Sequence, residues 1–403
     1  MRSASILSAS LSALGGAEKV AVFLAVACRD SGMATTIWAE RPVSAEQIEV
    51  RYAVDMDGIR IKTLPSSKAL TTRGWRAAQL LVRDLRWARA MRRERPDLFI
   101  NTQFRNVISG VGATNWNYVH FPHPLREHGN GALHRAAAEF ILRVRSATLL
   151  RGRPWAKSFD RFFANSRFTA ENIRTMWGAE CEVIYPPCEM APELSTDASM
   201  NHSIVSIGRF QLPGTGVPHK NHRALIEAFE LLSQADPDAG WKLQLVGGLN
   251  ESNPEEVHYF HDLQRQAQYL NISFHPNATH QELNTILANA NIYWHAQGYG
   301  TDPATSPREQ EHFGITVVDA MSAGCTPLVY DSGGPKEIVT PVSRALLWST
   351  LPELAQRTRN LGDDTNLWRR LLTDSKKRAE DFSDSRFLDE ISTAIRIATR
   401  GHP

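Results

Sequence analysis

The sequence predicts an α/β protein built from two doubly wound parallel sheets. Three observations carry that expectation. The chain has 403 residues, more than one ordinary core holds and comfortable for two domains of roughly 150 to 200 residues each. Short apolar segments alternate along it with longer helical stretches, the pattern of βαβ units. Near the middle, Pro186-Pro187 opens a polar stretch that runs through Pro192 to Ser203 and reads as the best interdomain linker.

In chain order, Ser5 to Ser10 is a short apolar strand running into Gly15-Gly16, Ala17 to Arg29 has helical periodicity, and Thr35 to Ala39 is a second strand. Strand, glycine turn, helix and strand make one βαβ unit. Leu98 to Asn101, Tyr118 to Phe121, Arg161 to Asn165 and Glu182 to Tyr185 are further strand segments, and Leu133 to Leu150 is helical in pattern. Beyond the linker, strands are expected at Ser203 to Ile207, Lys242 to Val246, Ile272 to His275, Ile292 to Trp294 and Pro327 to Tyr330. Helices are expected at Asn221 to Leu232, Glu256 to Tyr269, His280 to Ala290, Ile315 to Ser322, Gly334 to Val339, Leu351 to Gly362, Asn366 to Phe382 and Arg386 to Ala398. Ligands of such sheets bind at the carboxyl ends of the strands, so residues just after strands are the informative ones.

Composition narrows the class. With 42% apolar and 22% charged residues, the chain is close to an average globular protein, not a disordered, fibrous or membrane-spanning one. Lys19 and the run Ala21 to Cys28 imitate a signal peptide, but that run is only eight residues and Gly15-Gly16-Ala17-Glu18 precedes it as a helix start. Cys28, Cys181, Cys188 and Cys325 lack the pairing of a disulfide scaffold or a zinc site and read as free thiols in the cytoplasm. The net charge of +2 hides an asymmetry. Residues 1–190 hold 27 Lys/Arg against 17 Asp/Glu, and the remainder 18 against 26. Arginine concentrates in Arg83 to Arg95 and Arg143 to Arg161, the latter interleaved with aromatics, which reads either as a solvated helix face or as a surface meeting an acidic acceptor or anionic lipid at the inner face of a membrane. No nucleic-acid partner is expected.

The strongest motif is Glu311-His312-Phe313-Gly314-Ile315, followed by Asp319. Phe313-Gly314-Ile315 opens a helix whose free N–H groups and positive dipole end suit a diphosphate. Glu311, just before it, can accept hydrogen bonds from sugar hydroxyls, and Asp319 within it can reach the hydroxyls of a ribose. A second element is Gly208-Arg209-Phe210 with Lys220, one cation directly after a strand and the other at a helix start. Such a pair suits a pyrophosphate that gains charge as a glycosidic bond breaks. Gly15-Gly16 sits between strand and helix, where glycine lets the backbone approach a phosphate. Tyr118 to Pro124 places His120 and His123 at a strand end. Asp55-Met56-Asp57-Gly58 imitates an Asp-x-Asp metal motif but reads better as a tight turn between strands.

The Glu311 to Gly324 segment resembles glycosyltransferase family 4, whose hallmark is Glu-x7-Glu around Phe-Gly, here with Asp319 as the shorter second acid. Asp331-Ser332-Gly333-Gly334-Pro335 is similar to the same family, and the combined wording looks like the cytosolic mannosyltransferases of dolichol-linked oligosaccharides and bacterial relatives. The resemblance implies the GT-B fold: two Rossmann-like domains facing a central cleft, an acceptor domain over residues 1–188, a nucleotide-sugar domain over 189–383, and a C-terminal helix, 384–403, crossing back to the first. It implies retaining transfer of a hexose from a nucleotide-diphosphate sugar, GDP-mannose or a UDP-sugar, to a glycan, lipid-linked or small-molecule acceptor, with no cofactor and no metal. Catalytic roles fall on His120, Arg209, Lys220 and Glu311. Donor contacts fall on Gly16, Arg209, Lys220, Glu311, Phe313, Gly314, Ile315 and Asp319, and acceptor contacts on Gly15, Gly16 and His123. The rivals are a sugar phosphorylase on the same fold, a dinucleotide oxidoreductase, for which no complete Gly-x-Gly-x-x-Gly follows a strand, and a non-catalytic glycan-binding or partner subunit.

Overall fold

A computed structural model describes residues 2–65, 76–104, 108–123, 155–191, 199–214 and 218–400. The chain divides into two compact units, Met1–Pro187 together with Asp384–Pro403, and Cys188–Ser383.

The first unit holds β1 (Ser3–Leu7), α1 (Gly16–Asp30), β2 (Ala34–Ala39), α2 (Ala45–Tyr52), β3 (Ile59–Thr63), α3 (Arg76–Arg93), β4 (Leu98–Asn101), β5 (Thr114–Val119), β6 (Arg161–Ala164), α4 (Arg167–Trp177) and β7 (Glu182–Val183). Its sheet runs β3-β2-β1-β4-β5-β6-β7 with every pair parallel. A parallel sheet is covered on both faces, which explains why β1, β2 and β4 are almost wholly buried. On one face α1 is apolar around its whole circumference from Val20 to Cys28 and packs with the helix Asp384–Arg400, whose Phe387, Ile391, Ala394 and Ile395 enter the same core. Lys19 Nζ ties the two together at 2.8 Å from Asp384. The other face is filled by Trp87, Met91, Phe99, Trp155, Phe159, Phe162 and Ile173.

Several local features differ from the sequence-based expectation. The first strand ends at Leu7, because Leu11–Ala13 turns into a short 3-10 helix. Strand β5 begins at Thr114, not Tyr118; Asn115 and Asn117 look like turn residues, but Trp116, Asn117 and Tyr118 are all buried in the strand. Helix α2 was not expected from the sequence, since it carries few apolar residues; its start is fixed by the capping box of Ser44 and Gln47. The turn Asp55 to Gly58 therefore joins a helix to a strand and not two strands. There Asp55 and Asp57 accept backbone N–H bonds at 2.8 and 3.0 Å, and Arg29 donates to the Asp55 and Asp57 carbonyls. The expected helix Leu133 to Leu150, the basic stretch from Arg143 up to residue 154, and linker residues 192–198 lie outside the described residues.

The second unit holds β8 (Ser203–Ile207), α5 (His222–Ala235), β9 (Lys242–Gly247), α6 (Pro254–Gln266), β10 (Ile272–Pro276), α7 (His280–Ala288), β11 (Ile292–His295), α8 (Ile315–Ser322), β12 (Thr326–Tyr330), α9 (Gly333–Val339), β13 (Leu347–Trp348), α10 (Leu351–Asp363) and α11 (Thr365–Ala379). The helix Asp384–Arg400 is then α12. The order β10-β9-β8-β11-β12-β13, again all parallel, is the doubly wound order in which the chain reverses direction between β8 and β11. Ligand crevices of open sheets form at that reversal, outside the carboxyl ends of the two strands.

Candidate functional site at the switch point of the second unit

Three polar side chains converge where the β8 and β11 loops separate, and a fourth lies on the first of those loops. Arg209 follows β8, Lys220 precedes α5, His295 ends β11, and Glu311 precedes α8. Phe210 fixes the first of these loops: it is wholly buried, stacks on His222 with ring centroids 4.8 Å apart, and meets Phe260 and Phe274. Because neighbouring side chains of an extended segment point opposite ways, burying Phe210 turns Arg209 outward. Arg209 is exposed and makes no ion pair among the described residues.

Lys220 reaches the site because residue 208 is glycine; a Cβ there would stand 2.1 Å from Lys220 Cγ. Its loop is tied by Asn221, left-handed at φ 56°, whose Nδ2 donates to the Ala296 and Tyr299 carbonyls at 3.0 and 2.8 Å. Lys220 Nζ donates to Glu311 Oε2, and His295 Nε2 stands 3.9 Å from that same oxygen. Burial by itself would raise the Glu311 carboxyl, but Lys220 and His295 outweigh it and hold it well below the usual carboxylate range. His295 is 2% exposed, and burial pushes its imidazole down against the pull of Glu311. Burial likewise lowers His312 to about 4 and His222 to about 3. These three histidines are thus neutral at pH 7 and Glu311 charged.

Glu311 is held by its backbone. Gln310, fully buried, accepts from Ser332 Oγ at 2.6 Å, donates to Thr301 Oγ1 at 2.8 Å, and its carbonyl accepts from Gln297 Nε2 at 3.1 Å. Gly334 N–H donates to the Glu311 carbonyl at 2.8 Å. Gly333 has φ 65°, and a Cβ there would stand 2.3 Å from that carbonyl oxygen, so the Ser-Gly-Gly-Pro turn exists to let two backbones touch. The helix opened by Gly314, left-handed at φ 105°, begins beside this carboxylate. Phe313 is buried against Phe382, Thr316 Oγ1 meets Tyr293 Oη at 2.8 Å, and Asp319 lies half-buried within α8.

The structure therefore brings Lys220, Glu311, Phe313, Gly314 and Ile315 together, and places Arg209 on the neighbouring loop after β8. His295, Asn221 and Gln310 belong to it as well and were not singled out from the sequence, although the strand-end rule applied to Ile292–His295 points to His295. The remaining candidates lie on the first unit. Gly15 caps α1 beside the corresponding reversal between β1 and β4. Its N–H donates to Glu18 Oε2 at 3.1 Å and its carbonyl accepts from Tyr52 Oη at 2.7 Å, with Gly16 as the first helical residue. His120 follows β5, its ring 5.4 Å from Tyr118. His123 packs edge-on against Trp155 and Trp177, and its carbonyl accepts from Trp177 Nε1. No group of three or more metal-ligating side chains occurs among the described residues.

Two all-parallel doubly wound units, the second carrying a cation–carboxylate pair and a helix N-terminus at its switch point, are the architecture of the GT-B fold. Residues 14–191 match the family model described as Glycosyltransferase Family 4, and residues 204–371 match the one described as Glycosyl transferases group 1. These models together span most of the chain, each covering less than half of it. The GDP-Man:Man(3)GlcNAc(2)-PP-Dol alpha-1,2-mannosyltransferase of Xenopus laevis is 33% identical over 195 residues, 45% of this chain and 36% of that one. Its Dictyostelium discoideum counterpart is 26% identical over 261 residues, 59% of this chain and 48% of that one. The chain thus spans less than half the length of these curated relatives. In fold it is similar to a glycosyltransferase from Rickettsia africae (TM-score 0.66, 13% identity, 98% of both chains). It is also similar to Anabaena HepE in complex with UDP and glucose (TM-score 0.63, 15% identity, 98% of this chain and 100% of that one).

Proposed function

We propose that this chain transfers a hexose from a nucleotide-diphosphate sugar to a glycan or lipid-linked acceptor, with retention of configuration and without a metal ion. The observation that carries this is the Lys220–Glu311 pair beside the α8 N-terminus, with the exposed Arg209 on the loop after β8. Diphosphate leaving gains negative charge as the bond from the anomeric carbon to phosphate oxygen breaks. Two cations and the free N–H groups at the start of α8 are placed to meet that charge, the task a divalent ion performs elsewhere.

Glu311 accepts hydrogen bonds from hydroxyls of the transferred sugar, and Asp319 takes the ribose. The acceptor oxygen bonds to the anomeric carbon on the face the phosphate leaves, and its proton passes to the departing phosphate oxygen. No protein nucleophile takes part. On the family resemblance, the first unit contributes Gly15 and Gly16 near phosphate and acceptor, His120 to the sugar and His123 to the acceptor. The names of the relatives favour GDP-mannose over a UDP-sugar. α3, with Arg86, Arg89, Arg92 and Arg93 exposed and Trp87 and Met91 buried, gives the first unit a basic face for peripheral contact with anionic membrane. No helix among the described residues is long and apolar enough to cross a bilayer.

Thermal shift with GDP, UDP, ADP and their sugars tests the donor. A ligand at about 100 times its Kd adds roughly 2.7 kcal/mol, and a panel without any shift overturns the assignment. Turnover surviving EDTA, and a product anomer matching the donor by NMR, are expected; loss with EDTA or an inverted product overturns those parts. Binding to phosphatidylserine vesicles but not phosphatidylcholine vesicles is expected to fade with salt.

A further inference from the structure

We propose that His295 is a positioning residue that takes over Glu311 when the donor recruits Lys220, capturing a proton from solvent as it does so. The inference rests on the donor site proposed above and adds to it a residue and a proton.

The geometry is a three-way competition for one atom. Lys220 Nζ and His295 Nε2 both address Glu311 Oε2. As the structure stands, Lys220 neutralises the carboxylate and His295, 2% exposed, stays neutral. Glu311 and Lys220 have side chains only 18% and 24% exposed, so water compensates neither charge fully. If Lys220 turns to a diphosphate, Glu311 is left as a largely buried anion beside an additional anionic ligand, a costly state unless a cation replaces the lysine. The replacement within reach is the imidazole. Protonated on both nitrogens, it donates from Nε2 to Glu311 and keeps that carboxylate fixed for the sugar hydroxyls.

Other charges around His295 do not perform this task. Its strand neighbours β8 and β12 carry the sequences SIVSI and TPLVY, with no charged side chain. α8, which packs on β11, carries Asp319, whose field falls on Tyr293. Lys220 comes from the loop before α5 and Glu311 from the loop before α8, and these two are the charged groups that face the imidazole. The proton balance is one proton from solvent onto His295 Nε2 for each donor bound, and its release when the diphosphate departs and Lys220 returns.

The experiment is calorimetric titration of the full chain with GDP-mannose and with UDP-glucose at pH 7. Both ligands carry diester phosphates that do not titrate near neutrality. Each titration is run in PIPES and in imidazole buffer, which differ in ionisation enthalpy. A binding enthalpy that depends on buffer in the sense of proton uptake is expected, with affinity rising as pH falls from 8 to about 6. His295→Gln, which keeps a donor but cannot titrate, is expected to bind with a buffer-independent enthalpy and a flat pH profile. Binding by the wild-type chain with no buffer dependence overturns the inference and leaves the donor site standing. Uptake that persists in a folded His295→Gln chain overturns the assignment to His295. Absence of binding by either sugar nucleotide overturns the donor site itself, and the inference with it.

Discussion

The two units share one plan and use it differently. Each is an all-parallel sheet whose central pair, β1 and β4 in the first unit and β8 and β11 in the second, marks the reversal of strand order. At that place the first unit has a neutral glycine turn, braced from beneath by Glu18 and by Tyr52 Oη. The second has Arg209, Lys220, His295 and Glu311, with Lys220 packed on Gly208 and the Glu311 backbone on Gly333, where no side chain fits. The same strand order thus yields one loop that leaves room and one that supplies charge. The lesson is that the sheet decides where chemistry can occur and the short loops decide which.

The sharpest break in this comparison comes from matched glycine substitutions. Gly333→Ala forces a Cβ to 2.3 Å from the Glu311 carbonyl at a left-handed φ of 65°, and is expected to destabilise the chain by about 3 kcal/mol. Gly15→Ala meets a movable carboxylate, Glu18 Oε2 at 3.0 Å, with φ −94°, and is expected to cost less than about 1 kcal/mol. Urea unfolding of both variants checks the contrast, and equal losses would remove it.

Acid separates the units next. In the second unit burial holds His222 at about 3, below its unfolded value near 6.5. The unfolded chain therefore binds the extra proton first, and stability present above pH 6.5 is lost progressively as pH falls toward 3. At pH 5 this amounts to about 2 kcal/mol for His222. In the first unit burial pushes Cys28 up to about 12 and raises Cys181 and Glu390. The thiols begin to lower stability only as pH rises past about 8.5, and Glu390 favours the folded state in acid. Hydrogen exchange by mass spectrometry at pH 5 is expected to show β8, β9 and α5 losing protection before β1, β2 and α1.

Side-chain truncation gives the next contrast. Lys220→Ala and Glu311→Ala are each expected to lower kcat/KM at least about tenfold, or roughly 1.4 kcal/mol in the transition state. Wild-type rates in either variant would remove that residue from the mechanism. The smallest effect concerns the brace of the glycine turn. Tyr52→Phe deletes the 2.7 Å hydrogen bond to the Gly15 carbonyl and is expected to cost about 1 kcal/mol in thermal unfolding.

Much of this molecule was legible in its sequence, and unevenly so. The second unit was read nearly element by element, because short strand segments alternate there cleanly with longer helical ones: β8 and α8 fall on the residues expected, and most other ends move by one to three. The first unit was read more coarsely. Polar-looking segments there, Thr114–Val119 and Ala45–Tyr52, take their structure from what they bury or how they are capped and not from composition. Arg209, Lys220, Glu311 and the α8 N-terminus were legible as residues, since charge directly after a strand or before a helix is a local signal. Their meeting at one donor was implied by the family resemblance; the contacts among them were not legible. That Lys220 bonds Glu311 across 91 residues, that His295 attends the same oxygen, and that Gln310 anchors the loop from within depend on which strands become neighbours. Local sequence determined the elements and their ends through short-range hydrogen bonding and periodicity. Only the tertiary packing, by setting β11 beside β8, decided which charges share a low-dielectric crevice and how strongly they act on one another.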